Sequence, residues 1–388
     1  MNINFIINLI LFKELLSSNL IREETFQNYL IIVPIIMTNY NDNFIMLSSS
    51  CKVTMGKHRS VIIDFDRGVL YYIKNEFAEL LQKFEGYPIN HILSLLDDEE
   101  SKNNFYLFLD FLIKNELIFL TYFPESFPRR TSEFKRTPTI LDNLIIDLDE
   151  SKCDSEYINQ LVNNIRDCKI PDVQIRLITK PSEEFLIDFL YNVENSGVKY
   201  VELFCTAEQI PLTFAKKLII EVALLSKVVI FESVTNMHTQ VTNELSDDAL
   251  LTFGDIYESE QKYNPVEMCG IINKHTMDFS GIDAYNMHHY YNGCLYKKAS
   301  ISSTGDIKNC PSFEEVFGNI KVDNLCCIVQ SDTFQKVWKI KKDKISICRE
   351  CELRYCCSDC RAHRLDKSDL YSCPAKCSYD IVTGKWIE

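Results

Sequence analysis

Glycine and proline are scarce in this chain, with 11 of each in 388 residues. That scarcity excludes fibrous and low-complexity architectures. Basic residues are outnumbered, 41 against 55 acidic, and the net charge is −14. General nucleic-acid binding needs a basic face to displace counterions, so this balance argues against it. Long apolar runs are also lacking. The run Ile3–Phe12 falls short of the ~20 residues that span a bilayer, and Tyr29–Met37 is interrupted by Pro34. The N-terminus has neither a basic region nor a small-residue cleavage site, so it does not read as a secretory signal. No GxGxxG and no GxxxxGK[ST] occurs, which leaves dinucleotide and P-loop nucleotide sites without support. These absences describe a cytoplasmic chain with no nucleic-acid and no membrane partner. Residues 1–42 read as an N-terminal extension, either a packed helix or a segment upstream of an alternative start at Met37.

Cysteine is what the sequence has in excess. There are 16, five in residues 1–290 and eleven in residues 291–388. Cytoplasmic thiols stay reduced, so this density points to metal rather than to disulfides. The spacing is regular: Cys294-x10-Gly305-x4-Cys310, then Cys348-x2-Cys351-x5-Cys357-x2-Cys360, then Cys377. Ser303-Thr304-Gly305-Asp306 marks a hairpin turn that would bring Cys294 and Cys310 together. Seven or more thiols with these gaps complete one four-thiolate site and most of a second. Zinc and iron–sulfur clusters compete for such ligands. The five-residue spacer is shorter than the ~15–20 residues of zinc ribbons, which favours clusters.

The rest of the chain reads as α/β. Residues 43–125 form a small α+β unit: strands Ser60–Asp66 and Val69–Ile73 about an Arg67–Gly68 turn, helices 75–84, 89–96 and 98–116, and a strand at 117–123. That order is winged-helix-like, and its sheet edge suits binding an extended peptide. Residues 124–138, with Pro124, Pro128, Pro138 and Arg129–Arg130, read as a linker. From 138 to 290, strands at 144–148, 174–179, 200–205, 228–232 and 270–273 alternate with helices at 155–168, 182–195, 211–226 and 243–250. This is the pattern of a parallel sheet with covered faces, a partial β/α barrel. Residues 291–388 hold the cysteine array.

The array, through GCLYKKASISSTGDIKNCPSFEEVFGNI and ICRECELRYCCSDCRAHRLDKSDLYSCPAKCSYDIVTGKW, resembles the SPASM domain of radical S-adenosylmethionine peptide-modifying enzymes. It is closer still to the SPASM-domain peptide maturases of grasp-with-spasm systems, and FIMLSSSCKVTMGKHRSVIIDF extends the resemblance to the N-terminal unit. The resemblance implies an N-terminal unit like a RiPP recognition element, a radical SAM-like barrel and two auxiliary [4Fe–4S] clusters. It also implies a role in maturing a ribosomally synthesised precursor peptide alongside an ATP-grasp ligase. One cluster would use Cys348, Cys351, Cys357 and Cys377. The other would use Cys294, Cys310 and Cys360. Its fourth ligand in some relatives lies six residues after the first, where this chain has Ser300. Cys326, Cys327, Cys356 and Cys373 are left unassigned, and Cys356 offers a rival to Cys357.

A radical S-adenosylmethionine enzyme needs C-x3-C-x2-C after its first barrel strand. Here that loop, DESKCDSEY, offers Cys153 alone. The barrel therefore reads as degenerate, and S-adenosylmethionine as an unlikely cofactor. Cys51, Cys168, Cys205 and Cys269 read as core thiols. His288, His289 and His363 are alternatives for ligand or groove residues, or simply hydrogen-bonded imidazoles. Asp147 and Asp149 sit at the strand end where β/α sites form, or cap a helix. Lys57–His58–Arg59 and Arg129–Arg130 could receive an acidic leader peptide, or lie in solvated turns. No catalytic residue can be named. The functional alternatives are a maturase with an open-iron cluster, a non-catalytic iron–sulfur scaffold delivering precursor to the ligase, and a zinc-binding interaction protein.

Overall fold

The computed structural model describes residues 42–127, 134, 136–246, 249–267, 269–277, 279 and 281–387, with the backbone alone for 243–246 and 249–252. The proposed extension, save residue 42, and Arg129–Arg130 lie outside the described residues. Among the described residues, no helix is long and apolar enough to cross a membrane.

Strands β1 (Phe44–Leu47), β2 (Cys51–Met55), β3 (Ser60–Asp64) and β4 (Val69–Ile73) open the chain. β2, β3 and β4 form an antiparallel sheet in that order. All five residues of β3 are buried, because the strand packs on both faces. Ile62 joins the N-terminal core, while Val61, Ile63 and nearby Phe65 pack with Tyr285, Tyr355 and Cys356 of the C-terminal region. Asp64 closes the β3–β4 turn, accepting from the Asp66 amide at 3.1 Å and the Arg67 guanidinium at 2.6 Å. Gly68 follows with φ +64°, a conformation that favours glycine. Helices α1 (Asn75–Phe84), α2 (Ile89–Leu93) and α3 (Glu99–Lys114) then cover the sheet, and β5 (Ile118–Thr121) returns to pair with β1. Asp98 caps α3 through the Ser101 amide at 2.7 Å.

The second part is a β/α repeat: β6 (Asn143–Leu148), α4 (Ser155–Cys168), β7 (Asp172–Leu177), α5 (Glu183–Glu194), β8 (Tyr200–Thr206), α6 (Leu212–Glu221) and β9 (Leu225–Phe231). Asp154 and Ser182 cap α4 and α5. The helix expected at 243–250 is absent. β10 (Met237–Ser246) and β11 (Ala249–Glu258) form a hairpin instead, and β11 pairs parallel with β9. Ladder pairing to an existing sheet overrides the local helical pattern there. The strand expected at 270–273 reduces to one bridge between Ile272 and Cys377.

After α7 (Ile282–His288) come β12 (Lys298–Ile301), β13 (Asp306–Lys308), β14 (Gly318–Asn319), α8 (Leu325–Val329), α9 (Asp332–Gln335), β15 (Tyr379–Asp380) and β16 (Lys385–Trp386). β12 pairs parallel with β6, so one nine-stranded sheet runs in the order β10-β11-β9-β8-β7-β6-β12-β13-β14. The fold is thus mixed α/β with a mixed sheet at its centre. Its strands are not buried on both faces, as a covered parallel sheet would be. In β6, Leu144, Ile146 and Leu148 are buried while Asn143, Ile145 and Asp147 are half-buried. The half-buried face is polar: Arg176 bonds Asp147 at 2.7 Å and Gln174 bonds Glu202 at 3.1 Å.

Candidate iron–sulfur site

The β12–β13 hairpin turns at Gly305, whose φ of +93° suits glycine. It places Cys294 and Cys310 in one neighbourhood with Cys360. Burial pushes the Cys310 thiol up to about 12, and the negative charges of Cys294, Cys269 and Cys360 add to the shift. The Cys360 thiol is likewise raised, first by burial and then by Cys294 and Cys269. Backbone N–H groups oppose these rises. The His363 amide donates to Cys360 Sγ at 3.4 Å, and the Ser312 amide bonds the Cys310 sulfur.

A second neighbourhood holds Cys348, Cys351, Cys357 and Cys377. Burial lifts Cys348 to about 11, while Lys342 pulls it down and Asp359 and Cys357 push it up. Cys351 is raised by burial and by the charges of Glu352, Cys357 and Cys348, and Cys377 by burial and by Cys357 and Cys373. Lys342 Nζ lies 3.7 Å from Cys348 Sγ and 3.1 Å from Asp359. Cys348 follows a γ-turn: its amide bonds the Ser346 carbonyl at 2.6 Å, and Ile347 between them has φ +64° and ψ −58°. That conformation is strained for a β-branched residue, and strain of this kind gathers at functional sites.

Among the described residues, no group of three or more His, Cys, Asp or Glu side chains converges as ligands of one metal ion do. A four-iron cluster takes one thiolate per iron, so its ligands stand further apart than those of a single ion. Two sets of thiols, partly buried and with N–H groups directed at their sulfurs, suit such a cluster. When bound, it supplies electron transfer. Cys294, Cys310 and Cys360 would hold one, and Cys348, Cys351, Cys357 and Cys377 the other.

The remaining candidates fall elsewhere. Cys356 packs with Val61, Phe65 and Tyr285, away from the position of Cys357. Cys51 and Cys205 are buried in the two main cores. Cys168 and Cys326, expected as separate thiols, are joined as a disulfide between α4 and α8. Long sequence separation hid that pair. Cys269, expected in the core, is exposed. Ser300 is buried, with its hydroxyl 3.4 Å from the Lys308 carbonyl inside the hairpin.

Cys153 lines an open cleft of about 500 Å³ with Ser151, Lys152, Asp154, Thr304 and Lys321, and no second cysteine lines it. Burial raises its thiol to about 11. Asp147 is engaged with Arg176. Burial raises the Asp147 carboxyl, and the Arg176 charge only partly offsets the rise. Asp149 caps the turn after β6, accepting from Ser151 and from Thr179 at 3.0 Å. Burial raises the Asp149 carboxyl, but these hydrogen bonds outweigh it and hold it below the usual range.

His288 Nδ1 bonds the Tyr355 carbonyl at 2.6 Å, and His289 stacks on the Tyr355 ring at 3.6 Å. Both serve the aromatic seam between the N-terminal unit and the C-terminal region. Arg59 is not free for a leader peptide. It pairs with buried Glu352 at 2.9 Å, bonds Gly384 O at 2.6 Å and lies over Tyr72. Lys57 pairs with Glu350 at 3.4 Å.

Comparison with known proteins bears on part of this region. Residues 294–352 match SPASM, an iron–sulfur cluster-binding domain. The matched segment starts at Cys294 and includes Cys310, Cys348 and Cys351. Among curated proteins, none matches the chain. Among solved structures, native anSMEcpe with bound AdoMet and Cp18Cys peptide is similar at 11% identity and a TM-score of 0.38, covering 60% of this chain and 93% of that one. The same protein with bound AdoMet alone gives 10% identity and a TM-score of 0.38, with the same coverage.

Proposed function

We propose that the protein takes part in maturing a ribosomally synthesised peptide together with an ATP-grasp ligase, using a C-terminal SPASM domain that carries two [4Fe–4S] clusters. The SPASM match over residues 294–352, joined to the two cysteine neighbourhoods, carries this reading. The N-terminal unit, 43–125, is the precursor-binding part. Among the described residues β4 pairs with β3 alone, which leaves its outer edge for an added strand, and Val69 on it is exposed. The lone Cys153 at the head of β6 favours a role other than reductive cleavage of S-adenosylmethionine. A non-catalytic scaffold that delivers precursor to the ligase is the second reading.

Co-expression of precursor, ligase and this protein, with mass measurement of the peptide, tests both. A mass change beyond the ligase's water loss that is absent with Cys348→Ala establishes a catalytic maturase. Ligase-type water loss that needs this protein, with no further change, establishes the scaffold. A peptide processed identically without this protein refutes both.

A further inference from the structure

We propose that Cys269 is the fourth thiolate of the first cluster, completing the set of Cys294, Cys310 and Cys360. The proposal rests on the cluster reading above and adds a ligand that no spacing rule reaches, since Cys269 stands upstream of the whole array.

The geometry begins at Gly270. A Cβ placed there would lie 2.9 Å from Cys360 Sγ and 3.0 Å from His363 Cδ2, so the backbone next to Cys269 passes directly against the Cys360 sulfur. Gly270 has φ +83°, the other reason for glycine at this point. On the far side, Cys269 Sγ is 3.6 Å from Ser312 Oγ, and Ser312 lies two residues beyond Cys310.

Three parts of the cysteine array tether the segment. Ser312 Oγ donates to the Val266 carbonyl at 2.7 Å, and His363 Nε2 lies 3.2 Å from the same oxygen. Lys376 Nζ, beside Cys377, reaches the Cys269 carbonyl at 3.3 Å. Ile272 then bridges to Cys377. Upstream, Arg176 donates to the Pro265 carbonyl and pairs with Asp147, anchoring the segment to the polar face of the sheet. The Ser312 and His363 contacts, with the approach of Gly270 to Cys360, set Cys269 beside Cys310 and Cys360, while the Lys376 and Ile272 contacts fix the segment's far end near Cys377.

The other candidates for a fourth ligand are Ser300, Cys153 and Cys373. The Ser300 hydroxyl lies within the hairpin, 3.4 Å from the Lys308 carbonyl, Cys153 lines its own cleft, and Cys373 lies by Cys377. A fully ligated first cluster has no open iron, which favours the scaffold or electron transfer over substrate binding at iron.

The test uses the intact chain, purified anaerobically. Iodoacetamide labelling mapped by mass spectrometry compares the iron-loaded protein with the same protein after chelation. Both Cys269 and Cys327 are exposed, so both label readily in the chelated protein. Loading is expected to slow labelling of Cys269 by at least about tenfold and to leave Cys327 unchanged, because a thiolate bound to iron is not a free nucleophile. Equal labelling of Cys269 in the two states overturns the proposal.

A second measurement takes Cys269→Ala, with Cys327→Ala as control. A cluster held by three thiolates sheds its unligated iron on mild oxidation. Cys269→Ala is therefore expected to show a three-iron electron paramagnetic resonance signal that wild type and control lack. Two unchanged four-iron clusters in Cys269→Ala overturn the assignment of Cys269 alone. A colourless wild type with stoichiometric zinc instead overturns the underlying cluster reading.

Discussion

Asp359 sits between two buried cations, and removing its charge should be among the most damaging single changes outside the cysteines. Asp359, Lys342 and Arg361 are 2%, 5% and 1% exposed. The carboxylate lies 3.1 Å from Lys342 Nζ and 2.6 Å from Arg361, and it accepts from Asn292 at 2.6 Å. At about 3 Å and an effective dielectric of about 20, each attraction is about 5 kcal/mol before desolvation is charged against it. Asp359→Asn keeps the shape. It also tolerates the positive φ of +63° at this position, which asparagine adopts at least as readily as aspartate. It leaves two cations without their ion-pair partner among the described residues, and breaking a buried pair in this way costs about 3–5 kcal/mol.

Lys342→Met is the matched comparison. It removes one cation but leaves the carboxylate with Arg361 and Asn292, so its cost should be smaller, about 1–2 kcal/mol. Anaerobic urea unfolding of the iron-loaded protein, followed by the fluorescence of buried Trp338, reads both variants. Asp359→Asn losing no more stability than Lys342→Met, or less than about 1 kcal/mol, would refute the reasoning.

Two further outcomes follow from the same region. Burial holds the His289 imidazole neutral, lowering its pKa from 6.5 to about 4. The Asp343 charge opposes that shift, and Arg354, Lys341 and His288 reinforce it. The folded form is depressed, so its contribution is complete above about pH 6.5 and is lost as pH falls towards 4, by at most roughly 3 kcal/mol. His289→Phe preserves the stack on Tyr355 and should flatten the stability profile across that window, whereas an unchanged acid slope counts against the shift. At Ile347, half-exposed in its γ-turn, Ile347→Gly should raise the unfolding free energy by about 1 kcal/mol, and the denaturant midpoint with it, strain relief outweighing the entropy of glycine. An equal or lower midpoint would show that the turn is not strained.

Much of the fold was legible in local signals. The Arg67–Gly68 turn, the helical patterns at 75–84 and 155–168, and the Gly305 hairpin each mark their element through signals acting within a few residues. The spacing within 294–377 likewise pointed to seven cysteines. What escaped depends on distant chain. The 237–258 hairpin takes its ladder from β9, and the local sequence at 243–250 gave a helical pattern instead. Arg59 looks like an isolated cation until Glu352 and Gly384 arrive from 293 and 325 residues away. Cys168 and Cys326 are 158 positions apart. Cys269 carries no motif of its own, and only the tethers from Ser312, His363 and Lys376 give it a place.

The pairing of Asn143 with Lys298 has a consequence for how the chain is made. β6 emerges from the ribosome long before β12, and until β12 arrives its outer edge is an unpaired ladder, the kind of template on which chains stick to one another. The strand that covers it lies between Cys294 and Cys310. Under the proposed function, a cell short of iron would face more than an idle protein. The hairpin needed to seal the sheet would be the part left without its anchor, and the chain would pass to chaperones and proteases. With the proposed clusters, iron supply would set how much of the protein survives as well as how much of it works.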